Sequence, residues 1–336
     1  MPTQPITLTR HILSQQRVHP EATGELSALL VQIGLAAKVI SRELALLGLG
    51  ALKGQTGDIN VQGEAVKRLD AFANETFVHA FGHSGLVCTL ISEEMEKPLH
   101  LPENCGRAKY TLLFDPIDGS SNIDVNGAVG SIFSIYRRPT SGDHTAPEPN
   151  LRPGSEQVIA GYVLYGPGTM LVYADSHGVQ AFTLDAGIGE FLLAYDQIRI
   201  PAKGAIYSVN EGHSGAWPPE IRRFVDYLKG RDPATGRPYS GRYIGAFVAD
   251  FHRTLMSGGV FLYPADTAKR PSGRLRLLYE VNPMGLIAER AGGKASTGTG
   301  RILDIMPTSL HQRVPVIIGS ADDVALGERF CRGDLS

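Results

Sequence analysis

The hydrophobic rhythm of the 336-residue chain changes twice, and each change narrows the folds open to it. From Leu26 the apolar residues recur at Leu29, Leu30, Ile33, Ala37, Ile40, Leu44 and Leu47, a spacing that lines one face of a helix. Thr23 stands where a hydroxyl can cap its first turn, and Gly48 where it can end. A second helical pattern carries Val66, Leu69, Phe72, Phe77 and Phe81 and closes at Gly82. Between them, the glycine-punctuated stretch from Gly48 to Gly63 has little apolar content and reads as a long mobile loop.

Beyond residue 82 the chain breaks into short runs of β-formers: Leu86–Ile91, Lys109–Phe114, Val129–Tyr136, Val158–Tyr165, Met170–Ala174 and Phe191–Leu193. Bounded by Gly, Pro and Asp, they predict a large, mostly antiparallel sheet. Arg138 to Pro153, with four prolines, reads as a solvated loop. Past residue 200, helices predicted at Pro219–Lys229 and Ala249–Met256 alternate with strands at Val260–Tyr263, Leu275–Tyr279 and Val314–Gly319. The alternation suggests a second α/β unit, dividing the chain into 1–199 and 200–336.

The chemistry concentrates in Asp115-Pro116-Ile117-Asp118-Gly119-Ser120-Ser121-Asn122, directly after an apolar strand. Asp-Pro or Asp-Gly alone is an ordinary turn. The full string puts two carboxylates three residues apart, followed by small residues whose backbone N–H groups suit a phosphate. Glu93-Glu94 follows another apolar run, Asp70 lies on the second helix, and Glu280 follows Leu275–Tyr279. Carboxylates about 4 Å apart repel by roughly 4 kcal/mol per pair at an effective dielectric near 20, so such a cluster costs much stability unless dications offset it, the bland alternative being a set of solvated strand-end acids. Oxygen donors without nearby His or Cys favour Mg²⁺ or Mn²⁺, and paired ions of that kind serve displacement at phosphorus.

Other features exclude whole classes. Lys and Arg number 32 against 34 Asp and Glu, so no general positive field gathers nucleic acid. Three scattered cysteines, Cys88, Cys105 and Cys331, form no CxxC pair and fit a reducing compartment. The polar start of the chain lacks the apolar stretch of a signal peptide, and no apolar run reaches membrane-spanning length, so a cytoplasmic location is expected.

The string DPIDGSSN resembles the signature of the lithium-sensitive, metal-dependent sugar phosphatases. The surrounding words narrow the likeness to class 1 fructose-1,6-bisphosphatases: KRLD at 67–70, SEE at 92–94, VNEG at 209–212, GRYIG at 241–245, ADFHRTL at 249–255, FLYPA at 261–265, RLRLLYEVNPM at 274–284 and AGG at 291–293. The similarity runs from about Thr7 to about Leu326. It implies a five-layer αβαβα fold with mixed, largely antiparallel sheets. It also implies hydrolysis of fructose 1,6-bisphosphate to fructose 6-phosphate and phosphate, in gluconeogenesis or carbon fixation.

By the same resemblance, Glu93, Asp115, Asp118, Glu280 and the Ile117 carbonyl hold two or three Mg²⁺ per subunit, with Mn²⁺ as a possible substitute. Glu93, Glu94 and Asp70 are the catalytic acids, the last two orienting and deprotonating the attacking water. Glu64 stands on the mobile loop where many members have Asp. Asp118, Gly119, Ser120 and Ser121 cradle the departing phosphate. Asn210, Tyr243, Phe261, Leu262, Tyr263 and Arg274 form the sugar-phosphate site, with Arg242 reaching from a neighbouring subunit of a homotetramer. Arg274 replaces the Lys of animal enzymes and His213 their Tyr, which leaves sedoheptulose 1,7-bisphosphate open as a substrate.

Thr23-Gly24-Glu25-Leu26-Ser27 offers hydroxyls and N–H groups at a helix start, suited either to capping or to an anion. In the family that turn, with Lys109, Tyr110 and Arg137, binds the inhibitor AMP. Two other readings remain, an inositol-phosphatase-like enzyme and a non-catalytic sensor. The Asn210, Tyr243 and Tyr263 set speaks against the first and the intact acids against the second.

Overall fold

The computed structural model describes residues 5–16, 24–47, 61–138 and 146–335, with backbone only for Leu47 and residues 61–67. Thr23, Gly48 and most of the expected 48–63 loop lie outside these residues, as does the side chain of Glu64. Three helices come first: α1 (Leu8–Gln16), α2 (Glu25–Leu47) and α3 (Val61–Gly82). Residues 61–63, expected in the loop, and the backbone of Glu64, placed on it by the family resemblance, belong to α3. Leu29, Leu30, Ile33, Ala37 and Ile40 of α2 are buried, as their spacing requires, with Leu69, Phe77 and Phe81 of α3. The nine-residue α1 has too short an apolar pattern to be evident in the sequence.

An eight-stranded sheet follows: β1 (Val87–Ser92), β2 (Leu99–His100), β3 (Tyr110–Asp118), β4 (Val129–Arg137), β5 (Gln157–Tyr165), β6 (Thr169–Asp175), β7 (Gly178–Asp185) and β8 (Glu190–Tyr195). Its order is β2-β1-β3-β4-β5-β6-β7-β8, and only the β1–β3 pair is parallel. β7 is hard to read from sequence because it buries the polar Gln180 among its apolar residues.

The second half supplies β9 (Ile206–Ser208), α4 (Pro219–Lys229), β10 (Ser240–Gly241), α5 (Phe247–Ser257), β11 (Val260–Tyr263), β12 (Leu275–Arg276), α6 (Asn282–Arg290), β13 (Lys294–Ser296), β14 (Arg313–Val314), β15 (Val316–Gly319) and α7 (Ala321–Arg332). A five-stranded sheet runs β10-β9-β11-β15-β13, and β12 pairs with β14. The strand expected from Leu275 is cut short. The chain leaves β12 after Arg276 and forms a π-helical turn, Leu277–Val281, where the sequence predicts a strand to Tyr279. Leu277, Leu278 and Tyr279 are all buried, so this short apolar run has no period to separate strand from helix.

Three apolar clusters define the layers. One lies between α1–α3 and one face of the large sheet. The second fills the space where α5 and α6 separate the two sheets, and the third packs α4 and α7 on the far side of the smaller sheet. The result is the expected five-layer αβαβα stack. Cys88 and Cys105 are not scattered: they form a disulfide with their Cα atoms 4.6 Å apart, and Cys331 is free. Among the described residues no helix is long and apolar enough to cross a membrane.

Phe77 of α3 stacks on Phe114 of β3 with ring centroids 4.7 Å apart, and both are fully buried. This contact fixes the helix carrying Asp70 against the strand carrying Asp115 and Asp118. Phe77→Ala is expected to cost about 3–5 kcal/mol in urea unfolding, as for other buried aromatic truncations.

Candidate active site

Residues three apart on a regular strand point to opposite faces of a sheet. Asp115 and Asp118 escape this because β3 bulges between them. Asp115 lies opposite Ile132 and Asp118 opposite Gly130, so three steps on β3 answer two on β4. The bend expected after the strand is thus a bulge inside it. Pro116, which has no N–H to place in the ladder, sits within the irregularity, and its carbonyl accepts a bond from Ser131 Oγ at 2.7 Å. Ile117 N donates to Asp115 Oδ1 at 3.0 Å.

The π turn brings Glu280 to the same point. Oxygen atoms of Asp115, Asp118 and Glu280 all lie within 4.8 Å of one another. The three residues are only 2%, 7% and 6% exposed. Burial, then Glu280, Asp118 and Glu94, drives the Asp115 carboxyl well above the ordinary range. Burial raises Asp118 to about 6 against the pull of the Val248 and Phe247 N–H groups. Burial and Asp118 raise Glu280 to about 7 against Arg276. Such a cluster is costly in the ionised state without added positive charge.

Glu93 follows the end of β1, its N–H bonded to Phe114 O at 3.0 Å, and its carboxylate forms an ion pair with Arg276. The Arg276 backbone N donates to Glu280 Oε2 at 2.6 Å. One residue thus ties Glu93 to the main cluster, a role not recognised in the sequence although Arg276 lies in the RLRLLYEV string. Glu94 is exposed, its N–H held by Ser92 Oγ. Burial and Glu94 lift Asp70 to about 7.

Immediately after Asp118 the chain turns sharply. Gly119 has φ +79°, and a Cβ there would meet that of Ala246 at 2.4 Å, so any side chain would be both strained and blocked. Asp118 Oδ2 accepts from Val248 N at 2.7 Å, and Asn122 Nδ2 donates to Ala128 O at 3.2 Å. Ser120 and Ser121 open a short 3₁₀ turn there. The Val248 bond joins the acidic strand to the start of α5, and the Asn122 bond closes the turn before β4.

Beyond α5 lies a cleft of about 270 Å³ lined by Asn210, Leu262, Tyr263 and Arg274, with His213, Trp217, Lys269 and Arg270 along its wall. Burial and Tyr263 raise the Tyr243 hydroxyl to about 12, opposed by Arg274 and an Asn210 hydrogen bond. Phe261 is buried and stacks on Phe247, supporting the cleft from behind. Arg242 is exposed, its Nη1 bonded to the adjacent Gly241 O at 2.9 Å. The residues expected around the start of α2 also assemble: Lys109 Nζ meets Glu25 Oε1 at 3.1 Å, Arg137 lies 6.0 Å from the Tyr110 ring centre, and Ser27 Oγ bonds Gln16 Oε1 at 3.3 Å. Gly24 and Leu26 complete that turn.

An αβαβα stack with acids gathered beside an anion-ready turn is the layered fold of the sugar phosphatases. Residues 6–196 match the family model for the fructose-1-6-bisphosphatase N-terminal domain and residues 200–332 that for the C-terminal domain. A class 1 fructose-1,6-bisphosphatase of Chlorobium luteolum is 53% identical over 98% of this chain and 99% of its own. Another, from Synechococcus elongatus, is 54% identical over 95% and 91%. The crystal structure of Leishmania major fructose-1,6-bisphosphatase in holo form superposes with a TM-score of 0.87 at 42% identity, covering 97% of this chain and 99% of that one. The chain belongs to the class 1 fructose-1,6-bisphosphatase family.

Membership implies dependence on a divalent metal ion, and the donors fit one. Three buried carboxylates without sulfur or imidazole suit a hard, oxygen-seeking cation. Their raised folded values mean that the native state keeps protons the unfolded chain releases, so metal-free stability falls as pH rises from about 4 to about 7. Thermal unfolding of the chelator-treated protein is expected to show this loss, a shallower slope in Asp118→Asn, and a larger Mg²⁺-induced rise in Tm at pH 8 than at pH 5.

Proposed function

We propose that this chain hydrolyses fructose 1,6-bisphosphate to fructose 6-phosphate and phosphate, using Mg²⁺ held by Glu93, Asp115, Asp118, Glu280 and the Ile117 carbonyl. The observation that carries the reading is the convergence of Asp115, Asp118 and Glu280 beside the Gly119 turn. Two or three Mg²⁺ per subunit, replaceable by Mn²⁺, would supply charge neutralisation and polarised water.

The chain's own residues do the rest. The Gly119-Ser120-Ser121 turn receives the phosphate to be removed, because its small residues let backbone donors approach. Asp70, raised to about 7, sits in the range where a carboxylate can take a proton from water at neutral pH, and Glu94 beside it orients that water. Glu64 stands as a further acid from the preceding chain. Asn210, Tyr243, Tyr263 and Arg274 bind the 6-phosphate with neutral and cationic donors, supported by Phe261 and Leu262. Affinity at this distant end holds the reacting phosphate in line.

Exposed Arg242 suits a reach into a neighbouring subunit of a homotetramer. The N-terminal unit, 1–199, carries most of the acids, and 200–336 the sugar site and Glu280. The start of α2, from Thr23 to Ser27, with Lys109, Tyr110 and Arg137 is proposed to bind AMP as an inhibitor, at an end where the helix dipole and two cations favour phosphate. A role in gluconeogenesis or carbon fixation in the cytoplasm follows.

Phosphate release should be rapid from fructose 1,6-bisphosphate and require Mg²⁺, and be slow from inositol 1-phosphate. Sedoheptulose 1,7-bisphosphate in the same assay reads out the effect of Arg274 and His213. Glu93→Gln and Asp118→Asn are expected to reduce kcat by orders of magnitude. Unchanged rates in either variant would overturn the assignment.

Removing a charged partner of a phosphate costs about 1.5–3 kcal/mol, or roughly ten- to a hundredfold in affinity. Arg137→Ala is therefore expected to raise the AMP concentration for half-inhibition at least about tenfold. Titration of turnover with AMP checks this, and an enzyme insensitive to millimolar AMP would remove the regulatory reading.

A further inference from the structure

A second group of metal-binding side chains lies away from the carboxylates, on the outer edge of the large sheet. Cys88 of β1, His100 of β2 and Cys105 in the following loop present Sγ and imidazole nitrogen atoms that all lie within 4.8 Å of one another. His100 Nδ1 is 3.7 Å from Cys88 Sγ and 3.8 Å from Cys105 Sγ, and Nε2 is 3.6 Å from the latter. The sulfurs are joined as a disulfide. A disulfide needs no imidazole beside it, whereas two thiolates and an imidazole are the donor set of a soft or borderline cation.

The backbone gathers these residues without help from the sulfur bond. β1 and β2 pair through Thr89 with His100 and Leu90 with Leu99. Leu101 N bonds Cys88 O at 2.8 Å, Cys105 N bonds Pro102 O at 3.2 Å, and the Cys105 carbonyl accepts from Arg138. Cys88 is fully buried, while Cys105 and His100 are half-buried, so a reagent meets the Cys105 side first.

We propose that Cys88, His100 and Cys105 form a redox-gated site for a thiophilic divalent cation such as Zn²⁺, shut as a disulfide and available once reduced. A small dithiol serves as reductant. Its thiolate attacks Cys105 Sγ, the Sγ–Sγ bond breaks with uptake of two electrons and two protons in all, and the reductant closes its own disulfide. Cation binding then releases the two thiol protons, and three protein donors leave a fourth position for water. The hard-ion site differs in every donor, so Mg²⁺ and a thiophilic cation sort between the two. From Cys88 the strand leads to Glu93, and from Cys105 the loop leads to Lys109 and Tyr110.

The test uses the full chain and Co²⁺ as the probe, in excess Mg²⁺. Alkylation in denaturant counts thiols: one in the oxidised protein, Cys331, and three after dithiothreitol. The reduced protein is expected to gain a thiolate-to-Co²⁺ charge-transfer band at one ion per chain, and diamide to abolish it. Cys88→Ser and Cys105→Ser should each lose the band, and His100→Ala should weaken Co²⁺ binding at least about tenfold, since even loss of a ligand's supporting partner costs about 10–100-fold. Three results would overturn the proposal: a disulfide that the folded protein keeps under dithiothreitol, a reduced protein with three thiols but no band, or a band that survives Cys88→Ser. Dithiothreitol is removed before Co²⁺ is added, and the one-ion stoichiometry, thiol count and diamide reversal require no substitution, so they test the proposal even where a variant fails to fold.

Discussion

The mutual burial of Asp115, Asp118 and Glu280 is the constraint around which the structure is organised. Removing three carboxyl groups from water in one place opposes folding, and the raised values of all three express that opposition. The large apolar clusters on both sides of the eight-stranded sheet offset it. Each acid is also held by backbone donors: Ile117 for Asp115, Val248 for Asp118 and Arg276 for Glu280. The site is thus rigid where the chemistry needs fixed oxygens, and packing elsewhere recovers the stability this costs.

Two irregularities make the convergence possible. Without the bulge in β3, Asp115 and Asp118 would face opposite layers. A strand continuing through Tyr279 would alter the approach of Glu280, which the π turn supplies instead. The Gly119 turn belongs with them, since its positive φ and close approach to Ala246 set the acidic strand against the start of α5.

Much of this is legible in the chain because the signals are local. DPIDGSSN announces an acidic turn, and α4 begins at Pro219 and ends before Gly230, as its punctuation indicates. The change of rhythm near residue 200 signals a second α/β unit, while the five-layer order is what the family resemblance implies. Other features depend on partners distant in sequence. The bulge needs Gly130 across the ladder, and the disulfide needs the β1–β2 hairpin to close a separation of 17 residues. Leu277–Tyr279 is uniformly buried and carries no period. Arg276 gives no local signal because its importance comes from Glu93, far along the chain.

The pairing of Arg276 with Glu93 gives the acidic site a counter-charge of its own. The guanidinium can leave that carboxylate cheaply only in exchange for another positive charge, and its tether to Glu280 through the backbone keeps it close by when it does. A single guanidinium thus offsets one of the negative charges gathered there, and no more than one.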